Sequence, residues 1–294
     1  MNRRQFISKS AVLLAAGSIA QSVTSCRSAA TPNKGRIGIQ LYSIKDELAK
    51  DFKGSLRKLS DIGYSMVEPY GFTTDNFFGH TMKELSNMVK DMGMTISGSH
   101  IWSSITVKNP TEKEWDFWKN IANIVVSGGG EWAVQSSLPE AETTDDLKQI
   151  VSYFNRAGEI CRQGGVKFAF HNHTEVFSEI DGEMILDYLV KNTDPNLVFF
   201  QLDLGHTVNG GGDCVSILRN FPKRIPLWHA SDFDAETRKY TDVGKGSVPY
   251  PTLFDIAESS GLEQLIVEQE TEGDIFESCK VDFDYLKQFK WTKV

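Results

Sequence analysis

The sequence predicts one α/β domain in which eight parallel strands and their helices close into a barrel, the (β/α)8 or TIM barrel fold. Eight short apolar segments alternate with longer segments in which apolar residues recur every three to four positions. Regular alternation of this kind indicates a parallel sheet, and about 270 residues of the chain are available for it. No linker of contrasting composition divides them, so we expect a single domain over residues 36–294.

Each predicted strand is a short run of apolar residues that ends in polar or turn-forming residues. In chain order the eight strands lie at residues 37–43, 66–69, 95–100, 131–135, 167–172, 197–203, 225–230 and 264–268.

The predicted helices occupy the segments between these strands, at residues 52–62, 82–92, 112–126, 144–163, 184–191, 213–221 and 250–259. Several are followed by a glycine shortly before the next strand, as at Gly63, Gly93, Gly165 and Gly261. Glycine at this position is typical of a helix that ends in a left-handed residue.

The alternative arrangement is an open, doubly wound sheet that binds a dinucleotide. That fold needs a G-x-G-x-x-G turn after its first strand, and the sequence has none. The glycine run 128–130 precedes a strand and does not open a helix, so the closed barrel is favoured.

The amino terminus has the pattern of an export signal. A basic start containing Arg3 and Arg4 precedes an apolar stretch over residues 11–20, which is too short to span a bilayer. Arg-Arg-Gln-Phe resembles the twin-arginine signal. Val-Thr-Ser-Cys resembles a bacterial lipobox, which makes Cys26 the acylated first residue of an exported, periplasmic or membrane-anchored lipoprotein, with residues 26–35 as a linker. The alternative is a plain secretory peptide in which Cys26 is incidental.

The charge balance excludes one broad class of function. The chain has 31 Lys and Arg against 39 Asp and Glu, and loss of residues 1–25 would change the net charge from −8 to −11. No run of more than two basic residues occurs, so a nucleic-acid partner is not expected.

Membrane contact is expected only through the lipid anchor. The other three cysteines, Cys161, Cys214 and Cys279, are expected to be free, buried thiols.

The polar residues at the ends of the predicted strands point to an active site. TIM-barrel sites are built at the carboxyl ends of the strands. Five of the six histidines fall there, together with carboxylates and amides. In chain order the set is Gln40, Glu68, His100, Gln135, His171, His173, Asp203, His206, His229, Asp232 and Glu268.

Four of these residues form a candidate metal site. His171, Asp203, His229 and Glu268 come from the ends of four successive strands and offer two imidazoles and two carboxylates. That donor set suits one divalent Mn, Zn, Fe or Co ion better than Ca²⁺, which prefers oxygen ligands alone.

Several of these motifs resemble the xylose isomerase-like TIM barrels, a group that includes sugar phosphate isomerases/epimerases, inosose dehydratase and endonuclease IV. The resemblance covers residues 36–290. It lies in the motifs Gly-Tyr-Ser-Met-Val-Glu68, Phe-His171-Asn-His173, Gln-Leu-Asp203-Leu-Gly-His206, Trp-His229-Ala-Ser-Asp232, Val-Gly244-Lys-Gly246 and Val-Glu268-Gln. It implies one divalent metal at positions 171, 203, 229 and 268 and a sugar-like substrate above it.

The sequence departs from that family at two places. The endonuclease branch carries an additional Asp and His before its Gly-x-Gly, where this chain has Arg238-Lys239-Tyr240, which argues against DNA repair. The ketose 3-epimerase branch has a metal-bound Glu at the fifth strand, where this chain has His171. Glu175 is the nearest possible substitute.

The expected chemistry is isomerisation or epimerisation of a keto sugar through a metal-stabilised enediolate. Glu268 is the expected base, His171 or Glu175 handles the proton on the other face, and His206 orients a hydroxyl. Glu68, His100, His173, Gln40 and Asp232 are expected to bind substrate. Trp102, Trp132, Phe72 and Tyr42 are candidates for apolar walls.

Two alternatives remain open at this point. An exported protein would rarely meet sugar phosphates, so a lyase or hydratase acting on 3-keto-glycosides made by a partner sugar oxidoreductase is the first. A barrel that binds sugar without turnover is the second. A homo-oligomer is possible, and the substrate itself does not follow from the sequence.

Overall fold

The computed structural model describes residues 36–102 and 107–291. The predicted signal peptide, the lipobox cysteine and the linker lie outside the described residues. Thirteen strands and ten α-helices are found in the described parts of the chain. The strands are β1 Ile37–Gln40, β2 Met66–Glu68, β3 Thr95–Ile96, β4 Gly98–Ile101, β5 Trp132–Gln135, β6 Lys167–His171, β7 Glu179–Ile180, β8 Glu183–Met184, β9 Val198–Asp203, β10 Leu227–Ala230, β11 Asp232–Asp234, β12 Lys239–Thr241 and β13 Gln264–Val267.

The helices follow the strands as a parallel barrel requires. They are α1 Lys45–Lys50, α2 Phe52–Ile62, α3 Met82–Asp91, α4 Glu112–Ser127, α5 Thr144–Gln163, α6 Ile185–Asn192, α7 Leu204–Asn209, α8 Cys214–Asn220, α9 Tyr250–Ser260 and α10 Ile275–Leu286. Two 3-10 turns, Leu41–Ile44 and Thr174–Phe177, follow β1 and β6. No helix among the described residues is both long and apolar enough to cross a membrane.

Nine strand segments form one parallel sheet in the order β3-β2-β1-β13-β10-β9-β6-β5-β4. The two segments at its ends, β3 and β4, are separated in the chain by Ser97 alone, and they pair with β2 and β5 respectively. They are therefore two halves of the third barrel strand, and the sheet closes on itself. This confirms the predicted single-domain (β/α)8 barrel.

All eight predicted strands and all seven predicted helices are present, with bounds that differ by a few residues. The helix-stop glycines are also confirmed at Gly63 and Gly261, which have φ of 123° and 89°. The sequence analysis missed α1, α7, α10 and the two small hairpins β7–β8 and β11–β12. The three cysteines of the barrel are free and buried, as expected.

Side chains alternate between the two faces of each barrel strand, and this alternation places the site. On β9, Phe200 and Leu202 belong to the large core between sheet and helices. The intervening residues face the barrel axis, where Trp132, Val134, Ala169 and Leu227 form a second, smaller apolar cluster. The axial positions nearest the carboxyl ends, such as Gln201 and Asp203, are buried and polar. The barrel interior is thus apolar in one layer and polar in the layer above it.

Candidate metal centre and active site

The structure brings the four predicted metal ligands together. His171, Asp203, His229 and Glu268 each offer one donor atom, and these atoms all lie within 4.8 Å of one another. The three residues from β6, β9 and β10 are buried, and the Glu268 side chain is 12% exposed. Parallel register explains the grouping, because His171 pairs with Gln201 and His229 pairs with Asp203 in neighbouring strands.

Two donor atoms of this group are buried without a hydrogen-bond partner. They are Nε2 of His171 and Oδ2 of Asp203. Buried polar atoms without partners are costly in a protein interior, and a cation satisfies lone pairs of this kind. The mixed imidazole and carboxylate set therefore fits a divalent transition metal.

Gln201 fixes the orientation of two histidines. Its Nε2 donates to the Glu68 carboxylate at 3.1 Å, so its Oε1 faces away from Glu68. That oxygen lies 2.7 Å from Nε2 of His100 and 3.1 Å from Nδ1 of His171 and accepts from both rings. The proton of His171 is thereby held on Nδ1, which leaves the Nε2 lone pair directed to the ligand group.

Glu68 lies beneath the ligand group and holds His229. Its Oε2 lies 2.8 Å from Nε2 of His229 and accepts from Nε2 of Gln40 at 2.9 Å. The other ring nitrogen of His229 lies 2.7 Å from Oε2 of Glu268. Burial lowers the pKa of His229, but the two carboxylates outweigh it and raise that pKa to about 10. A metal ion that bound His229 would therefore displace a proton.

His171 and His206 differ in charge. Burial and the neighbouring histidines hold the pKa of His171 well below its ordinary value, so this ring is neutral, as a metal ligand must be. Burial also lowers the pKa of His206, but Asp203 and Glu270 raise it to about 9. His206 is therefore an imidazolium at neutral pH.

His206 is held by two residues that the sequence analysis did not single out. Its Nε2 lies 3.2 Å from Oε1 of Glu270, and its Nδ1 is hydrogen-bonded to the hydroxyl of Tyr240. Its backbone N–H donates to Oδ1 of Asp203 at 2.6 Å. Glu270 and Gln201 each lie two positions from a predicted ligand, a spacing that could have identified them. No sequence feature pointed to Tyr240.

A cavity of about 290 Å³ opens above the ligand group. A volume of this size accommodates a small polar molecule. Its lining includes two of the ligands, further site residues and three aromatic side chains: Tyr42, Tyr70, His100, Trp102, Ser136, Ser137, His171, His173, His206, Glu268 and Glu270.

Other predicted site residues lie outside this lining. Gln40 and Glu68 are buried below it, and Glu175 lines a neighbouring groove. The Asp232 carboxylate accepts backbone N–H groups from Phe233, Gly244, Gly246 and Val248, and so holds the chain after β10 in place. Of the candidate apolar walls, Tyr42 and Trp102 line the cavity. Trp132 and Phe72 do not, because both are fully buried in apolar clusters.

Comparison with known proteins decides the family. The model of the xylose isomerase-like TIM barrels matches residues 56–293, most of the chain. The chain belongs to this family.

Solved and curated proteins are similar to this chain over much of its length. The crystal structure of a sugar phosphate isomerase/epimerase from Parabacteroides distasonis superimposes with a TM-score of 0.79 at 30% identity, covering 88% of this chain and 96% of that chain. An inosose dehydratase from Geobacillus kaustophilus is 25% identical over 60% of this chain and 60% of its own length. An inosose dehydratase from Clostridium perfringens is 24% identical over 70% of this chain and 79% of its own length.

Proposed function

We propose that this barrel is a metal-dependent lyase that acts on a keto sugar derivative. It removes a proton next to a carbonyl group and expels a substituent from the following carbon. The observation that carries the proposal is that one carboxylate, Glu268, and one histidine held by Glu270, His206, line the same cavity. The similarity to inosose dehydratases, which are named for an elimination of water, supports it.

The ligand group His171, Asp203, His229 and Glu268 would hold the divalent ion. When bound there, the ion would act as a Lewis acid on the substrate carbonyl. Because Gln201 fixes the His171 ring and Glu68 fixes the His229 ring, both imidazoles are oriented before substrate arrives.

Glu268 is the base of the proposed reaction. Its carboxylate reaches the cavity. Burial raises the pKa of Glu268, but in the metal-free site the His229 contact outweighs burial and lowers that pKa below the ordinary value, so Glu268 is ionised at neutral pH. It accepts the proton from the carbon next to the carbonyl, and the electron pair of that C–H bond becomes the new carbon–carbon double bond. The bond to the leaving group breaks with its electrons on the leaving oxygen.

His206 is the acid of the proposed reaction. It carries a proton at neutral pH and gives that proton to the leaving oxygen. Glu270 and Tyr240 hold the ring from its two nitrogens, which keeps it in the cavity wall. His171 does not serve as a second base, because Gln201 accepts from one nitrogen and the other belongs to the ligand group.

Isomerisation or epimerisation is the second candidate function. The similarity to a solved sugar phosphate isomerase/epimerase favours it. In this case the substrate keeps all its substituents, and a carbon of the enediolate receives the proton in place of a leaving oxygen.

A proton-exchange assay in D₂O separates these candidates. We expect 3-keto-glycosides and keto cyclitols to lose their β-substituent, and Glu268→Gln to abolish both this loss and deuterium uptake. His206→Gln is expected to slow elimination by about a hundredfold while deuterium uptake persists. His80→Gln, which changes a histidine outside the cavity lining, is the matched control.

Each other outcome supports a different function. Deuterium in a product that keeps all its substituents would overturn the lyase proposal in favour of isomerisation or epimerisation. Binding of sugar without any deuterium uptake by the metal-loaded protein would favour the non-catalytic barrel.

We further propose that the protein is an exported lipoprotein. The twin-arginine-like start and the Val-Thr-Ser-Cys26 motif support this. Cys26→Ser is expected to move the protein from the membrane fraction to the soluble fraction and to abolish acyl labelling. Labelling that persists in the variant would refute acylation at Cys26.

An extracytoplasmic location also favours substrates that carry no phosphate and that a partner oxidoreductase has oxidised.

A further inference from the structure

One side of the cavity carries exposed aromatic surface. Among the described residues four large apolar side chains are exposed, and two of them, Trp102 at 64% and Tyr42 at 38%, line the cavity. Tyr70 lies beside them in the same lining. Apolar surface left open beside a polar reaction centre is typical of a ligand-binding wall.

The three rings form one preformed surface, here called the aromatic wall. The ring centroids of Tyr42 and Tyr70 lie 5.1 Å apart at 85°, and those of Tyr42 and Trp102 lie 6.5 Å apart at 88°. Each ring follows the end of a different barrel strand. Edge-to-face contacts of this kind hold aromatic rings in fixed relative orientations.

The backbone beneath the aromatic wall is anchored to the barrel. The Tyr42 N–H donates to Oε1 of Gln40, and the Gly71 N–H, next to Tyr70, donates to the His100 carbonyl at 2.9 Å. The backbone at Tyr42 and Tyr70 is therefore ordered before a ring binds, which lowers the conformational entropy lost when a ring binds against these two side chains.

The charges around the cavity disfavour a phosphate ester. Its described lining contains the carboxylates of Glu268 and Glu270 and includes no lysine or arginine, and the charge of His206 is paired with Glu270 at 3.2 Å. Lys45 lies near the aromatic wall, but its ammonium lies over the Tyr42 ring, 4.5 Å from the centroid. Phosphate recognition usually relies on arginine, lysine or a helix amino terminus.

We propose that the aromatic wall is a subsite for an uncharged ring on the leaving group, so that the substrates are keto-glycosides with an apolar, planar aglycone and not sugar phosphates. This inference rests on the proposed lyase function for the orientation of the substrate. The keto sugar lies toward Glu268 and His206, and the ring that departs lies against Tyr42, Tyr70 and Trp102.

Binding of unreactive parent glycosides tests the subsite without turnover. Methyl, cyclohexyl and phenyl β-glucosides and glucose 6-phosphate lack the keto group, and their affinities can be measured by calorimetry up to their solubility limits. We expect the phenyl glucoside to bind about tenfold more tightly than the methyl glucoside, as one aromatic stacking contact provides. Trp102→Ala and Tyr42→Ala are expected to reduce that preference to about twofold.

Phe78→Ala is the matched control, because Phe78 is 42% exposed but lies outside the cavity lining. It should keep the full phenyl preference. A second measurement uses the unmodified protein: phenyl glucoside should protect Trp102, the most exposed of the six tryptophans, from quenching by acrylamide. The cyclohexyl glucoside carries an apolar ring that is not planar. We expect it to bind more weakly than the phenyl glucoside, because the subsite is proposed to prefer a planar ring.

The subsite is overturned by any of three results. These are equal or undetectable binding of the phenyl and methyl glucosides, a phenyl preference that survives both alanine substitutions, and tighter binding of glucose 6-phosphate than of methyl glucoside. Because none of these measurements involves catalysis, a phenyl preference without elimination in D₂O would retain the subsite and discard the lyase.

Discussion

Asp203 uses its two carboxylate oxygens differently. Oδ1 accepts from the His206 N–H and from the Ser231 hydroxyl, both at 2.6 Å, whereas Oδ2 is buried without a hydrogen-bond partner and is the oxygen left to bind a cation. In Asp203→Asn the two donors keep the amide oxygen at the Oδ1 position, so the amide nitrogen takes the Oδ2 position. Asparagine also caps a helix as well as aspartate does.

We therefore expect Asp203→Asn to weaken divalent metal binding by on the order of a hundredfold and to change the melting temperature of the metal-free protein by less than about 2 °C. Metal titration by calorimetry and thermal unfolding measure the two effects. The control is Asp213→Asn, which changes the exposed cap of the following helix. Unchanged metal affinity in Asp203→Asn would exclude Asp203 as a ligand.

Gln201 provides a second prediction at the residue scale. Gln201→Leu removes the acceptor of two histidine rings and the donor to Glu68, which leaves His171 free to change tautomer. Loss of such an outer partner typically weakens metal binding about 10- to 100-fold. We expect a metal titration of Gln201→Leu to show a loss of affinity of this size. Gln264→Leu, a buried strand glutamine outside this hydrogen-bond network, should keep wild-type affinity.

The ligand set could be predicted from the sequence because strand ends converge in a barrel. Histidines and carboxylates at four successive strand ends must meet at one rim, whatever their separation in sequence. Tyr240 could not be singled out in this way, and for Gln201 the spacing from Asp203 marks the position but not the role. The role of Gln201 depends on side-chain contacts across the barrel, and Tyr240 reaches His206 from the hairpin β11–β12.

The segment that follows that hairpin is held to its first strand by one buried carboxylate. Asp232 accepts four backbone N–H groups between Phe233 and Val248, and Asp232→Ala leaves them without that acceptor. We expect a loss of about 3 kcal/mol or more in the free energy of unfolding, measured by urea denaturation. Asp234→Ala removes an exposed acceptor of two N–H groups in the same hairpin and should cost less than about 1 kcal/mol. Equal losses in the two variants would contradict this assignment.

The last helix, α10, supplies a prediction about pH. Asp282 on α10 is fully buried and accepts from the Val243 N–H and from Nε2 of Gln269, both at 2.7 Å. Burial, with the nearby Asp242 and Asp232, raises its pKa to about 7. The native state therefore binds a proton that the unfolded state releases near pH 4, and this contribution to stability is lost as the pH rises toward 7.

Asp282→Asn does not titrate and should not show this loss. Relative to the wild type, we expect the free energy of unfolding of Asp282→Asn to rise by about 2 kcal/mol between pH 5 and pH 8. Urea unfolding at both pH values measures it. Asp284→Asn, on the same helix but partly exposed and paired with Lys280, is the control. Parallel pH profiles for the wild type and Asp282→Asn would contradict the raised pKa.

The elements that were predicted differ physically from those that were missed. The seven predicted helices have apolar faces at helical spacing, whereas α1 and α7 have only six residues each, too short for periodicity to be seen. Length does not explain why α10 was missed, because it has twelve residues. The small hairpins lie in loops that follow β6 and β10, where side-chain hydrogen bonds rather than hydrophobic patterning determine the chain path.

At the scale of the whole molecule, the barrel places polar residues where an all-apolar core would be more stable. The upper axial layer contains buried carboxylates, imidazoles and amides, several of them engaged only with one another. Buried charged groups contribute little net stability unless every lone pair is satisfied. A bound cation would supply the partner that the buried atoms of His171 and Asp203 lack, so the stability of the barrel and the occupancy of its site should be linked.

This linkage gives the last prediction. A ligand that binds only the native state raises the free energy of unfolding by RT ln(1 + [L]/Kd), which is about 2.7 kcal/mol at a hundred times Kd. We expect chelation to lower the melting temperature of the wild type by several degrees, and graded readdition of Mn²⁺ or Zn²⁺ to restore it in a concentration-dependent manner. Asp203→Asn, which keeps the hydrogen bonds of the site but binds metal about a hundredfold more weakly, should lose only about 0.4 kcal/mol on chelation, a change of less than about 2 °C. If the wild type is equally insensitive to chelator although metal analysis shows that the ion has been removed, the polar layer is stable by itself and the ion does not contribute to the fold.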